Sequence, residues 1–154
     1  MPLQRAEQFF RRGFTTLHEE RSAEAARDFL TAIQLEREHG VRRPEMRYLS
    51  YYGLALALSG RPGDEALHAC ETAAAREPEN PDLRWNLAQV CLLAEKPARA
   101  RQVAAQGLAL DPGHPGLRSL LLRIDRRASP AVRFWTRDHP VNRVLGRLRA
   151  SLRA

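Results

Sequence analysis

Apolar residues recur at intervals of three and four along most of the chain, which is the spacing of one buried face of an α-helix. Short turn sequences separate these stretches, among them Arg61-Pro62-Gly63-Asp64. Elsewhere Asn80-Pro81 places a capping side chain before a proline at the first helical position. The pattern predicts helices near residues 4–20, 22–38, 44–59, 64–76, 81–95, 97–110, 115–128 and about 140–153. The predicted fold class is therefore all-α, with a longer exposed connection at 38–44.

Small residues recur at matching places in successive helices. Equivalent positions hold Gly13, Gly53 and Ala88 in three helices, and Ala25, Ala66 and Ala100 in the three helices that follow them. Two antiparallel helices can cross closely where such small side chains meet, and larger side chains fill the space around the crossing. We therefore expect three similar helix pairs, stacked one after another.

The residues around these positions resemble the tetratricopeptide repeat, a unit of about 34 residues with a fixed order of large and small residues. The matching residues are Phe9, Gly13, Ala25, Phe29 and Ala32 in the first unit, Leu49, Tyr52, Gly53, Leu56, Ala66, Ala73 and Pro78 in the second, and Leu87, Ala88, Cys91, Ala100 and Pro112 in the third. The departures are Arg12, Thr16, Arg37, Cys70, Arg84, Ala104 and Gly107. The resemblance covers residues 6–113 and implies an α-solenoid of three helix-turn-helix repeats.

A further amphipathic helix follows the third unit. Its apolar residues Leu117, Leu120, Leu121 and Ile124 have the spacing i, i+3, i+4, i+7, so they share one face. The last repeat of a short stack needs a cover, and this helix can cap it. We expect residues 1–128 to form the three-repeat solenoid with its capping helix, and residues 129–154 to form a separate basic connector and helix.

The resemblance also implies a binding groove, because in this family the first helix of each repeat lines the concave face. The residues carried over to that face are Phe10, Phe14, Leu17, Tyr51, Leu54, Leu58, Trp85, Asn86, Gln89 and Leu92. Such a mainly apolar groove suits an apolar peptide or an amphipathic helix, with Phe14 and Trp85 as anchors and with Asn86 and Gln89 hydrogen-bonding to the ligand backbone. Some of these side chains, Phe10, Leu54 and Leu58 among them, could instead belong to the core.

Relatives that clamp the terminal carboxylate of chaperones carry Lys, Asn and Arg at comparable places. Here those places hold Phe10, Phe14, Leu54 and Gln89. The resemblance therefore does not extend to carboxylate clamping.

Basic charge is concentrated at the C-terminal end of the sequence. Residues 1–116 hold 15 basic and 16 acidic residues, whereas residues 117–154 hold ten Arg and two Asp, a net charge of +8. The apolar residues of this tail are Phe134 and Trp135 in a proline-bounded connector and Val141, Val144, Leu145, Leu148 and Leu152 on one helical face. A helix this short is marginal alone, so we expect it to dock: on its own groove or that of a second copy, on an external partner, or on anionic lipid or nucleic acid.

Candidate catalytic chemistry is sparse. None of the five histidines has a second His or Cys ligand at i+3 or i+4, and no nucleophile or phosphate-binding motif is present, so we expect no metal site, no cofactor and no enzyme activity. Cys70 and Cys91 lack a CxxC pairing and are interpreted as reduced core residues of a cytoplasmic protein. A charged start and the lack of a long apolar run favour neither a signal peptide nor a membrane span.

These patterns favour a non-enzymatic adaptor or assembly factor whose partner is a protein or peptide. The alternative is a peripheral anchor that holds anionic lipid or nucleic acid through the arginine-rich tail. Salt distinguishes the two, since binding of a polyanion weakens steeply with ionic strength and burial of an apolar segment does not.

Overall fold

The computed structural model describes residues 2–128, and α-helices account for most of them. They are α1 Pro2–His18, α2 Ser22–Glu38, α3 Met46–Leu58, α4 Asp64–Arg76, α5 Pro81–Leu93, α6 Pro97–Leu110 and α7 Pro115–Ala128. Each observed end lies within two residues of the end predicted from the sequence, and the described residues contain no strand. The predicted tail helix near 140–153 lies outside the described residues.

The first six helices form three antiparallel pairs, α1 with α2, α3 with α4, and α5 with α6. Successive pairs are joined by contacts of α2 with α3 and of α4 with α5. This order of contacts is the predicted solenoid of three helix-turn-helix repeats, and it confirms the all-α fold class.

Within each pair, a small residue permits the close crossing. A Cβ added at Gly13 would lie 2.9 Å from Cε1 of Phe29, and one added at Gly53 would lie 2.7 Å from both the Ala66 carbonyl oxygen and the Cys70 Sγ. Ala88, at the equivalent position of the third pair, is fully buried. The recurrence of small residues therefore reflects a steric requirement.

The first repeat replaces an expected apolar contact with an ion pair. Arg12 stands where the family pattern has a large apolar residue, and its Nε donates a 2.8 Å hydrogen bond to the buried Asp28 carboxylate on α2. The guanidinium also lies 4.7 Å from the centre of the Phe9 ring. These contacts allow a charged residue at that position without an unpaired buried charge.

The connection between α2 and α3 is longer than the connections between later repeats, as predicted. Glu45, the residue before α3, donates its backbone N–H to both carboxylate oxygens of Glu36, at 3.1 and 3.2 Å. Glu36 is buried, and this burial raises the pKa of its carboxyl group. These two hydrogen bonds therefore hold the end of the connection against the last turn of α2.

Contacts group residues 2–121 into one compact unit, which includes the first half of α7. Two of the predicted capping residues, Leu117 and Leu120, are buried. Leu117 packs against Gly107 of α6, where an added Cβ would lie 2.5 Å from the leucine Cδ1. The departure from the family pattern at Gly107 thus makes room for the capping helix. Ile124, beyond this unit, is also buried.

Candidate groove on the inner helices

The candidate site is the exposed side of α1, α3 and α5. These three helices contact one another in order, whereas no such contacts join α2, α4 and α6 within the described part of the chain. In a curved stack the inner helices lie closer together than the outer ones, so α1, α3 and α5 form the inner layer. Their exposed side chains are the ones that a ligand bound along this layer would meet.

Aromatic side chains cluster where α1 meets α3. Phe10 is buried, and its ring centre lies 5.0 Å from that of Tyr48 and 5.6 Å from that of Tyr51. Phe14, one turn later, is 37% exposed and packs edge-on against Tyr51 at 5.4 Å. His18 covers the other side of Phe14, with a 4.5 Å distance between ring centres. Phe14 is therefore held in place while part of its ring remains open to a ligand.

Leucine side chains line the C-terminal ends of the same helices. Leu58 ends α3 and is 46% exposed, and Leu93 ends α5 and is 40% exposed. Leu17 and Leu92 are half-buried, while Leu54 lies in the core. The sequence predicted Leu92 as a groove residue but missed its neighbour Leu93. Adjacent helical residues point about 100° apart, and the sequence does not fix how α5 is rotated about its own axis.

Amide side chains occupy the middle of α5. Asn86 is fully buried, and its Nδ2 donates a 3.1 Å hydrogen bond to the Ser50 hydroxyl on α3. This places Asn86 between the helices, where a ligand cannot touch it without moving its neighbours. Gln89 is half-buried, and its Nε2 has no hydrogen-bond partner among the described residues. Of the two amides expected to meet a ligand backbone, Gln89 is the better placed.

Trp85 is half-buried and belongs partly to the packing of α7. A Cβ at Gly116 would overlap its indole ring, and the His114 ring lies 5.5 Å away. His114 Nε2 donates to the Asp82 carboxylate at 2.9 Å, and its Nδ1 accepts the backbone N–H of Leu117 at 3.1 Å. These contacts require the neutral tautomer with hydrogen on Nε2. The sequence signal for this arrangement was the position of His114 just before Pro115, where a capping side chain is common.

Charged groups gather at the opposite end of α1 and α3. The Glu7 carboxylate accepts hydrogen bonds from Arg47 at 2.8 Å, from the Tyr48 hydroxyl at 3.0 Å and from Arg11 at 3.0 Å. Burial alone would raise the pKa of Glu7, but these hydrogen bonds and the arginine charges lower it overall. The Arg47 guanidinium lies over the Phe10 ring at 4.8 Å. The inner layer therefore passes from a charged end to an apolar end along α1 and α3.

The described residues contain neither a metal-binding cluster nor an exposed thiol. Within residues 2–128, no group of three or more His, Cys, Asp or Glu side chains could hold a metal ion. Cys70 and Cys91 are buried free thiols, and burial raises the pKa of Cys70 to about 12, so its thiol is un-ionised at neutral pH. No helix in this part of the chain is long and apolar enough to cross a membrane.

Part of the chain is similar to known tetratricopeptide repeat proteins. Residues 63–124 match the tetratricopeptide repeat family model. No curated protein matches the chain. Among solved structures, the Arabidopsis OM64 TPR domain is similar, with a TM-score of 0.68 and 13% identity over 82% of this chain and 99% of that one.

Two similar structures contain bound peptides. The second TPR domain of human RPAP3, in complex with an HSP70 peptide, has a TM-score of 0.65 and 18% identity over 81% of this chain and 98% of that one. The Yersinia enterocolitica type III secretion chaperone SycD, in complex with a peptide of the translocator YopD, has a TM-score of 0.60 and 18% identity over 80% and 94%. These likenesses establish the shared fold.

Proposed function

We propose that the chain is a non-enzymatic adaptor or assembly factor that binds an apolar segment of a partner protein, since residues 63–124 match the tetratricopeptide repeat family model. The segment would lie along the inner layer, across α1, α3 and α5. The observation that carries this proposal is the partial exposure of Phe14, Leu58 and Leu93 on three successive inner helices. Apolar side chains that remain exposed together on a folded surface are typical of protein-binding sites.

The hydrophobic effect supplies the driving force in this proposal. Phe14 and Leu58 act as the main anchors, because each is held by its own helix and keeps more than a third of its surface open. Trp85 contributes only the part of its ring that α7 leaves exposed. Full burial of a large apolar side chain is worth about 1.5–3 kcal/mol before ordering costs, so these partly exposed anchors supply part of the binding free energy and further contacts along the inner layer must supply the rest.

The unpartnered amide of Gln89 favours an extended ligand over a helical one. Its Nε2 is shielded from solvent and lacks a hydrogen-bond acceptor among the described residues, so an outward rotation of this half-buried side chain would let Nε2 donate to a ligand carbonyl. An extended segment presents free backbone carbonyls, whereas a helix uses its own internally. The RPAP3 and SycD complexes support a peptide as the ligand, since both similar folds are seen with bound peptides.

A peptide array tests the proposal with matched variants. The groove variant combines Phe14→Ser and Leu58→Ser; the control combines Leu30→Ser and Leu110→Ser, which are 36% and 38% exposed on α2 and α6. We expect the wild type and the control to select the same apolar peptides and the groove variant to lose them. Selection of the same peptides by all three proteins would refute the proposal.

The peripheral-anchor alternative depends on residues 129–154, which lie outside the described residues, and it stays a prediction. A chain ending at Ala128 separates it from groove binding. If the tail carries the function, this shortened chain loses its binding to anionic vesicles or RNA. Under the groove proposal, the shortened chain retains the array peptides. The expected cytoplasmic location likewise stays a prediction.

A further inference from the structure

A second cavity, away from the inner groove, has a volume of about 340 Å³. The last turns of α2, the connection 39–45, the start of α3 and the end of α4 enclose it. Its apolar wall contains Ile33, Val41, Pro44 and Leu49, all half-buried. The volume falls within the range of small-molecule sites, about 300–1,000 Å³.

The extra residues of the connection build this cavity. Val41 and Pro44 both come from that segment, and they line the cavity together with Ile33 of α2 and Leu49 of α3. The hydrogen bonds from the Glu45 backbone N–H to Glu36 hold the end of the segment against α2. A cavity of about 460 Å³ also lies at the junction of α4, α5 and α6, but the four-residue α4–α5 connection supplies only Pro78 to it. The apolar wall built by Val41 and Pro44 is therefore particular to the first junction.

Only some of the charged side chains around the cavity have hydrogen-bond or ion-pair partners. Its two carboxylates already have partners: Glu36 accepts from the Glu45 backbone, and Glu45 pairs with Arg47 Nε at 3.2 Å. The two arginines that line the cavity, Arg37 and Arg76, are exposed, and their side chains have no hydrogen bond or ion pair within residues 2–128. The charge available to a ligand at the cavity is therefore positive.

We propose that this cavity binds an aliphatic carboxylic acid, with its hydrocarbon chain against Ile33, Val41, Pro44 and Leu49 and its carboxylate at Arg37 and Arg76. The apolar wall matches an alkyl chain, and guanidinium groups bind carboxylates through charge-assisted hydrogen bonds. A ligand without the charge leaves the arginines unused, and a ligand without the chain leaves the wall exposed. Each part of the molecule therefore adds to the affinity.

The test measures binding of octanoate and its analogues by calorimetry and by NMR shifts of the full chain. We expect affinity to rise up to about fourfold for each methylene from hexanoate to octanoate. Octanol, which lacks the carboxylate, should bind about tenfold more weakly than octanoate. The largest amide shifts should fall on Ile33, Val41 and Leu49.

A pair of charge-matched variants makes the test specific. The variant Arg37→Gln with Arg76→Gln should weaken octanoate binding about tenfold. The control, Arg42→Gln with Arg43→Gln, removes the same charge from exposed residues of the same connection that do not line the cavity, and it should change binding less than about twofold. Equal loss in both variants, equal binding of octanol, or shifts centred on Phe14 and Leu58 would each overturn the proposal. None of these outcomes depends on whether the inner groove binds peptides.

Discussion

Trp85 of α5 and Gly116 of α7 are in such close contact that any side chain at position 116 would overlap the indole ring. The ring is also bordered by His114, the residue that ends the α6–α7 connection. One tryptophan of the proposed groove therefore also packs against the start of the capping helix. Substitutions at this junction should change stability even when they leave the groove leucines untouched.

Gly116→Ala should lower the free energy of unfolding by about 1–3 kcal/mol, because a rigid indole ring must move to admit the methyl group. The helix-forming preference of alanine, about 1 kcal/mol, offsets only part of this cost. Urea unfolding measures the difference. The control is Gly113→Ala, whose added Cβ would meet only the Asp111 carboxylate oxygen at 3.3 Å, and it should change stability by less than about 0.5 kcal/mol. Equal destabilisation by both changes would contradict this account of the junction.

His114→Ala should cost about 1 kcal/mol of unfolding free energy, because the first turn of α7 loses its side-chain acceptor at the Leu117 N–H. His114→Asn removes the same imidazole but keeps a capping oxygen, so it should retain most of the stability. Chemical denaturation of both variants gives the comparison. If the two variants were equally unstable, the capping hydrogen bond would not be what His114 contributes.

The sequence predicted the helices well because their ends are set by local chemistry. Pro81 and Pro97 each begin a helix, and Asn80 caps α5 through its side chain. Small residues at fixed intervals also identified the crossings, since few other residues fit there. Local signals of this kind need no knowledge of the neighbouring helix.

The groove was harder to predict because its residues depend on contacts between helices. Asn86 and Gln89 lie on adjacent parts of α5, yet one is fully buried against Ser50 and the other is half-buried. The position of α3 decides between these environments. The link between Trp85 and Gly116 likewise depends on where α7 packs.

Two glutamates should have opposite effects on the pH dependence of stability. Burial raises the pKa of Glu36, so ionisation of this carboxyl group lowers the free energy of unfolding. The loss is complete above the folded-state pKa and absent below the unfolded-state pKa, which is near 4.5. The free energy of unfolding of Glu36→Gln, relative to that of wild type, should therefore be higher at pH 7 than at pH 3. Thermal unfolding across that range measures the change.

Glu7 provides the contrast. Burial alone would raise the pKa of Glu7, but hydrogen bonds from Arg11 and Tyr48 lower it overall. The ionised Glu7 therefore stabilises the fold above its unfolded-state pKa, and this stabilisation is lost as the pH falls through its folded-state pKa. Glu7→Gln should be less stable than wild type at pH 7, and the difference should shrink toward pH 3. If both variants changed in the same direction with pH, the assignment of opposite shifts would be wrong.

Removal of residues 129–154 should increase the affinity of the groove for apolar peptides, since we expect the apolar stripe Val141, Val144, Leu145, Leu148 and Leu152 to compete for the same surface. Hydrogen exchange provides a second measure, because protection near Phe14 and Trp85 should fall in the shortened chain. Unchanged affinity together with unchanged protection would show that the tail does not occupy the groove.

The most direct test of the central claim is the affinity of one array-selected apolar peptide, measured by fluorescence anisotropy at low and high salt. We expect wild type and the Leu30→Ser, Leu110→Ser control to bind it equally, with less than about twofold change between 50 and 500 mM salt. The Phe14→Ser, Leu58→Ser variant should bind at least about tenfold more weakly than the control at a temperature where circular dichroism shows both variants fully folded. Equal binding by this variant, or a steep loss of wild-type binding with salt, would contradict an apolar groove on α1, α3 and α5.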